Sequence, residues 1–349
     1  MAMDMKDQPS AKHANGAAPA FLRNCWYVAA WGSELPPGTH MKRILLDRPI
    51  LLMRDEEERA AAIGNVCPHR FASLSAGRFQ DGLVECPYHG LRFDMAGRCV
   101  LNPHGDGRIA ERARVHSYPL VERHGALWIW PGDAEAADPA SIPDLSFLDT
   151  PSPADRAPGY LLTPANYQLA SDNILDLSHS DFLHHATLGT AGELAGSPAK
   201  ARLHGDAVTI EWAFEGKGMV LQRPLRDHAD VHTRFEVSWY PAGVMIIRNE
   251  VQLAGDPASL KKKAGVHIMT PETARTTHYF FENGEAERKQ MLQLALKVFE
   301  SEDGVMLEDV QANMGGRGFW EMEPLVLSND SGAILARRVL DRLIRQEMR

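Results

Sequence analysis

The chain has 349 residues, 44% of them apolar and 24% charged, with 37 basic against 46 acidic side chains for a net charge of −9. Such a length accommodates two ordinary domains, and the negative balance argues against a general nucleic-acid binder. No apolar run approaches the roughly 18 residues that would span a bilayer, and four cysteines without a secretory leader argue against a disulfide framework.

Residues 1–20, MAMDMKDQPSAKHANGAAPA, lack an apolar leader core and are expected to be a mobile polar tail on a cytoplasmic protein. Residues 21–135 read as short strands broken by turns, in KRILLDRPILLMR, AAIGNV, GLVECPY, GRCVLN and GALWIWPG, which predicts a small antiparallel β domain. Within it stand two near-matching boxes, Cys67-Pro-His69 and Cys86-Pro-Tyr-His89. A zinc finger usually ends in paired histidines, whereas each box here gives one thiolate and one imidazole from a turn. Two such loops suit a [2Fe–2S] cluster of Rieske type, with both cysteines on one iron and both histidines on the other; a structural zinc is the alternative. Cys25 and Cys99 adjoin Trp26 and Val100 and are expected to be small buried residues.

Residues 136–160 are rich in proline and predict an extended connection; six prolines fall within 131–160. From 161 to 349 the chain mixes helix and strand, giving an α+β organisation overall. NYQLASDNILDLSHSDFLHHA has helical spacing, which places Asp176 and His179 on one helix face and His184 about a turn further on. Two imidazoles joined by a distant carboxylate form the facial triad of non-haem Fe(II) oxygenases; the plainer alternative is histidines on a helix surface. Strand-like runs follow in DAVTIEWAF, TRFEVSWY, VMIIRNEVQL, AGVHIMT and THYFFE, then helices in AERKQMLQLALKVFESEDGVMLEDVQ and SGAILARRVLDRLIRQEM.

The pattern CxH…CxxH followed by NxxDxxHxxxxH resembles the Rieske non-haem iron oxygenases, from about Phe21 through nearly the whole chain. NCWYVAAW, HGALWIWPGD and HIMTPETARTTHYFF are similar to the branch containing the vanillate and dicamba O-demethylases. The resemblance implies a Rieske domain followed by a helix-grip-like catalytic domain. It also implies Cys67, His69, Cys86 and His89 as cluster ligands, and His179 and His184 as ligands of one mononuclear Fe(II), with His185 a decoy. The third ligand falls in Phe299-Glu300-Ser301-Glu302-Asp303-Gly304, at Asp303, with Glu302, Glu308 and Asp309 as acidic competitors. Asn173 is expected beside the iron. A head-to-tail homotrimer is implied, in which Asp176 bridges His179 to His89 of the partner subunit. An external reductase or ferredoxin would supply electrons, and O₂ with a small aromatic substrate would complete the reaction, as O- or N-dealkylation or methyl hydroxylation. Ring hydroxylation or cis-dihydroxylation is the alternative within the family, and a Rieske electron carrier the alternative outside it. Trp239, Met245, Asn249 and His267 are candidates for the pocket wall, expected between Leu188 and Phe281 and on the helix bearing Asp303.

Overall fold

The structure, a computed structural model, describes residues 21–149, 156–216, 219, 231–283 and 288–348. The predicted 1–20 tail lies outside the described residues.

The first part carries strands β1 (Tyr27–Trp31), β2 (Thr39–Leu45), β3 (Arg48–Arg54), β4 (Ala60–Gly64), β5 (Arg78–Gln80), β6 (Leu83–Glu85), β7 (Arg92–Asp94), β8 (Cys99–Leu101), β9 (Ser117–Tyr118), β10 (Leu120–Arg123) and β11 (Ala126–Ile129). They form sheets ordered β1-β11-β10, β2-β3-β4-β9 and β5-β6-β7-β8, all antiparallel. Three hairpins close through residue pairs with positive φ: Leu46-Asp47, Asp81-Gly82 and His124-Gly125. Such turns match the right-handed twist of the flanking strands. Leu46 tolerates that backbone because its N–H and that of Asp47 donate to the carbonyls of Pro271 and Glu272, at 3.0 and 2.9 Å, docking the tip on the second part.

The second part carries β12 (Gly159–Thr163), α1 (Tyr167–Leu175), α2 (Glu193–Gly196), β13 (Lys200–His204), β14 (Ala207–Gly216), β15 (Val231–Tyr240), β16 (Val244–Leu253), β17 (Lys261–Pro271), β18 (Thr277–Asn283), α3 (Arg288–Val298), α4 (Val305–Met314) and α5 (Ser331–Glu347). Its strands form one antiparallel sheet, β12-β18-β17-β16-β15-β14-β13. Side chains alternate across it with period two. Val208, Ile210, Trp212, Val237 and Met245 face α1 and α5, while Val244, Ile246, Val266, Ile268 and Phe280 face Trp31, Trp128 and Val28 of the first part. Helix α5 turns Ala333, Ala336, Val339, Leu340 and Ile344 inward at three- and four-residue spacing. A Cβ at Gly332 would stand 2.9 Å from Ile210 Cδ1, so glycine permits the close approach of α5 to the sheet.

Two expectations are corrected. Among its described residues, 136–149 and 156–160, the connection is not extended throughout: short 3₁₀ turns form at Pro139–Ser141 and Ser146–Leu148, after one at Ala134–Ala136, and β12 already begins at Gly159. Asp133 and Asp138 cap the first two turns through side-chain oxygens, and Ile142, Leu145 and Leu148 bury themselves beside the tryptophans. Nor do Asp176 and His179 share an α-helix face. Helix α1 ends at Leu175, Asp176 leaves the helical region (φ −129°, ψ 86°), and a 3₁₀ turn runs Leu177–Asp181. The Asp176 carboxylate causes the break by accepting from Ser178 N–H at 3.0 Å and Ser178 Oγ at 2.6 Å, a local bond that competes with helix continuation.

Candidate metal centres and active site

The two Cys/His boxes lie in loops of one design. Cys67 N–H donates to Ala72 O (2.9 Å) and Phe71 N–H returns to Cys67 O (3.0 Å). In the second loop Cys86 N–H donates to Leu91 O (2.8 Å) and Gly90 N–H to Cys86 O (2.9 Å). The matched corner residues, Phe71 and Gly90, both adopt left-handed backbone, with φ of 62° and 69°. Both thiols are buried among Leu51, Met53, Ile63, Leu74, Val84 and Phe93, and burial, then the neighbouring Cys86, pushes the Cys67 thiol up. The His69 and His89 rings meet at 4.5 Å between centroids. Burial, then His69, His104 and Arg70, holds His89 below the ordinary histidine range, which favours the neutral imidazole that binds metal.

A tetrahedral ion about 2.0–2.3 Å from each ligand draws its four donor atoms within about 4 Å of one another. The boxes do not do this: among the described residues, the only group of three or more metal-binding side chains gathered within 4.8 Å is His179, His184 and Asp303. Thiol instead adjoins thiol and imidazole adjoins imidazole. His89 Nδ1 is buried without a hydrogen-bond partner, an orphan that a metal would satisfy. The donor set therefore fits a two-iron cluster rather than zinc.

The second centre lies between the turn after α1 and the segment joining α3 to α4. His179 Nδ1 bonds to the Asp176 carbonyl at 2.5 Å, leaving Nε2 3.5 Å from Asp303 Oδ1. His184 Nε2 stands 3.0 Å from the same oxygen, and Asn173 Nδ2 donates to it, also at 3.0 Å. Asp303 sits on a π-helical turn, Phe299–Gly304, a wide turn frequent at functional sites. His184 and Asp303 are only 2% and 4% exposed. Burial draws the His184 imidazole down, but Asp303 and Glu302 together outweigh it and raise it above the ordinary histidine range. A metal would take the place of the proton on Nε2. Two imidazoles and one carboxylate fit a mononuclear Fe(II) with open positions.

The remaining predicted residues separate clearly. His185 is exposed and turned to the Phe182 carbonyl; Glu308 and Asp309 are exposed, with Asp309 accepting from Asn313. Glu302 faces the opposite nitrogen of His184, Nδ1, at 2.6 Å. Cys99 is buried as expected, Cys25 only half-buried. A cavity of about 300 Å³ opens onto the three gathered residues, lined by Ile174, Leu177, Leu188, Phe235, Ile247, Phe281 and Phe299. Asn249 and His267 belong to that wall, whereas Trp239 and Met245 are buried outside it. The sequence signal for Phe235, Ile247 and Phe281 was strand alternation, but only pairing of β15 to β18 shows which parity faces the cavity.

The family model described as Rieske [2Fe-2S] domain matches residues 25–119, and that described as vanillate O-demethylase oxygenase C-terminal domain matches residues 163–346. The chain belongs to the Rieske non-haem iron oxygenases, as an oxygenase component that carries a [2Fe–2S] cluster and a mononuclear iron and depends on an external reductase. It is 35% identical to the oxygenase component of chloroacetanilide N-alkylformylase from Rhizorhabdus wittichii, over 94% of this chain and 97% of that one. It is 33% identical to the oxygenase component of dicamba O-demethylase from Stenotrophomonas maltophilia, over 93% and 98%. The crystal structure of dicamba monooxygenase with non-heme iron and dicamba superposes with a TM-score of 0.78 at 32% identity, covering 95% of this chain and 99% of that one.

Proposed function

We propose that this oxygenase removes a methyl or small alkyl group from oxygen or nitrogen of a substituted aromatic compound, or hydroxylates an aryl methyl group. The observation that carries the reading is the apolar 300 Å³ cavity ending on His179, His184 and Asp303. Such a cavity suits a small aromatic body, and relatives named for N-alkylformylase and O-demethylase activity match 94% and 93% of the chain.

Cys67, His69, Cys86 and His89 would hold the cluster, and His179, His184 and Asp303 the iron. These groups supply single-electron delivery and reductive activation of O₂. The chain's own part is positional. The Asp176 carbonyl fixes the His179 tautomer, Asn173 holds Asp303 in orientation, and the aliphatic and phenylalanine walls exclude water from the reacting carbon. Overall, O₂, two electrons and two protons convert an aryl methyl ether or N-methyl group to phenol or amine, formaldehyde and water.

The working assembly in this reading is a head-to-tail homotrimer in the cytoplasm, joined by a reductase or ferredoxin. Phe71 and Tyr88 in the cluster loops are 78% and 62% exposed; Phe182, just after the turn that begins at Asp176, and Leu325 in the second part are 75% and 87% exposed. Apolar surface of this kind on two faces supports a contact that closes into a ring. Among the described residues no helix is long and apolar enough to cross a membrane. The test is a panel of methoxy- and N-methyl-aromatics with a surrogate reductase, reading formaldehyde and O₂ uptake together. Matched formaldehyde and O₂ for at least one member is expected; substrate-dependent O₂ uptake with ring-hydroxylated products and no formaldehyde would refute dealkylation.

A further inference from the structure

We infer that Glu302 is a positioning residue for the iron site, holding His184 as the tautomer whose Nε2 faces the metal. Two sequence-adjacent carboxylates address the two nitrogens of one ring: Glu302 Oε2 lies 2.6 Å from His184 Nδ1, and Asp303 Oδ1 lies 3.0 Å from Nε2. The His184 side chain is 1% exposed and that of Glu302 27%, so the carboxylate reaches inward from the protein's edge to a ring sealed within it. A carboxylate keeps the proton on Nδ1, frees the Nε2 lone pair and raises its donor strength. His179 is held differently, by the neutral Asp176 carbonyl. The two imidazoles are thus unequal ligands, and His184 is the stronger donor.

The π-helical turn makes this grip possible. Each residue of an ordinary helix advances about 100°, which sends neighbouring side chains apart. The wider turn at Phe299–Gly304 lets Glu302 and Asp303 reach opposite edges of His184. Gly304 belongs to the same device, since a Cβ there would lie 3.0 Å from Phe299 O.

The inference rests on His179, His184 and Asp303 being the iron ligands, and the experiment separates the two readings. Purified holoenzyme and the variants Glu302→Gln, Glu302→Asp and Asp303→Asn are compared for iron loss to a ferrous chelator, with the cluster spectrum as internal reference. The EPR signal of the ferrous nitrosyl form is recorded alongside. Glu302→Gln is expected to weaken iron retention about 10- to 100-fold, with an altered nitrosyl signal and an unchanged cluster. Glu302→Asp should recover part of the loss, and Asp303→Asn should lack the iron. Wild-type retention and nitrosyl signal in Glu302→Gln, with iron absent from Asp303→Asn, would overturn the positioning role alone. Iron kept by Asp303→Asn but absent from Glu302→Gln would make Glu302 a ligand and overturn both readings. Loss of cluster along with iron in both Glu302 variants would mark a folding role and also overturn the inference.

Discussion

Replacing Asp176 by asparagine separates its local role from the proposed bridge between subunits. Locally, Asp176 Oδ1 accepts from Ser178 N–H and Oγ, and the main-chain carbonyl binds His179 Nδ1. Asparagine preserves the carbonyl and offers an amide oxygen where Oδ1 stood, so the cap changes by less than about 1 kcal/mol. What disappears is the charge on the second oxygen, which the bridge implied by the family resemblance would direct to the partner subunit's His89. A hydrogen bond to a charged group contributes about 1.5–3 kcal/mol. At 1.36 kcal/mol per decade of rate, its loss from the electron-transfer step corresponds to about a 10- to 100-fold fall in turnover. The assay is steady-state formaldehyde release with saturating reductase, paired with a single turnover of chemically reduced protein mixed with O₂ and substrate. Iron and cluster contents should match the wild type while both rates fall together. Wild-type turnover in the variant would refute the bridge and leave Asp176 as a cap.

Leu325→Glu should convert the proposed trimer to smaller species in light scattering and abolish coupled turnover, because Leu325 and Leu327 are 87% and 62% exposed in the segment leading to Asn329, whose side chain donates to Ser178 in the turn after Asp176; a trimer that persists would place the contact elsewhere. Glu282→Ala should destabilise by about 3–5 kcal/mol. The fully buried carboxylate accepts from Arg156 Nε at 3.1 Å and Ala157 N–H at 3.2 Å, so truncation leaves a largely buried guanidinium unpaired; a loss below about 1 kcal/mol in denaturant titrations would contradict this. Burial lowers His267 from 6.5 to about 4, so between those values the unfolded chain carries a proton that the fold refuses. Wild-type stability should rise with pH across that window by up to about 1.4 kcal/mol per unit more than in His267→Phe, and parallel curves for the two proteins would count against a neutral buried His267.

The parts of this protein legible in its sequence are those where chemistry dictates residue type at close range. Thiolates and imidazoles in matched turns announce a metal, and Cys67 to His89 stand in two loops whose hydrogen bonds repeat residue for residue. His179 and His184 were legible for the same reason, although the backbone carrying them was not. Spacings of three and four fit an α-helix and a 3₁₀ turn nearly alike, and the decision fell to one carboxylate turning back on Ser178. Asp303 could be picked out through a motif, but the approach of its neighbour Glu302 to His184 could not, because a π-turn leaves no periodic trace in six residues. The tryptophan contact between the two parts was hidden more deeply. Trp31 and Trp128 face Phe280 and Ile268 only after β1 pairs with β11 across about a hundred residues, and no local pattern encodes that pairing. The same long-range packing positions β17 and β18, and through them the cavity wall at His267 and Phe281. The candidate ligands were therefore legible locally. The shape of the cavity, by contrast, is set by contacts between distant segments, and no local motif reports it.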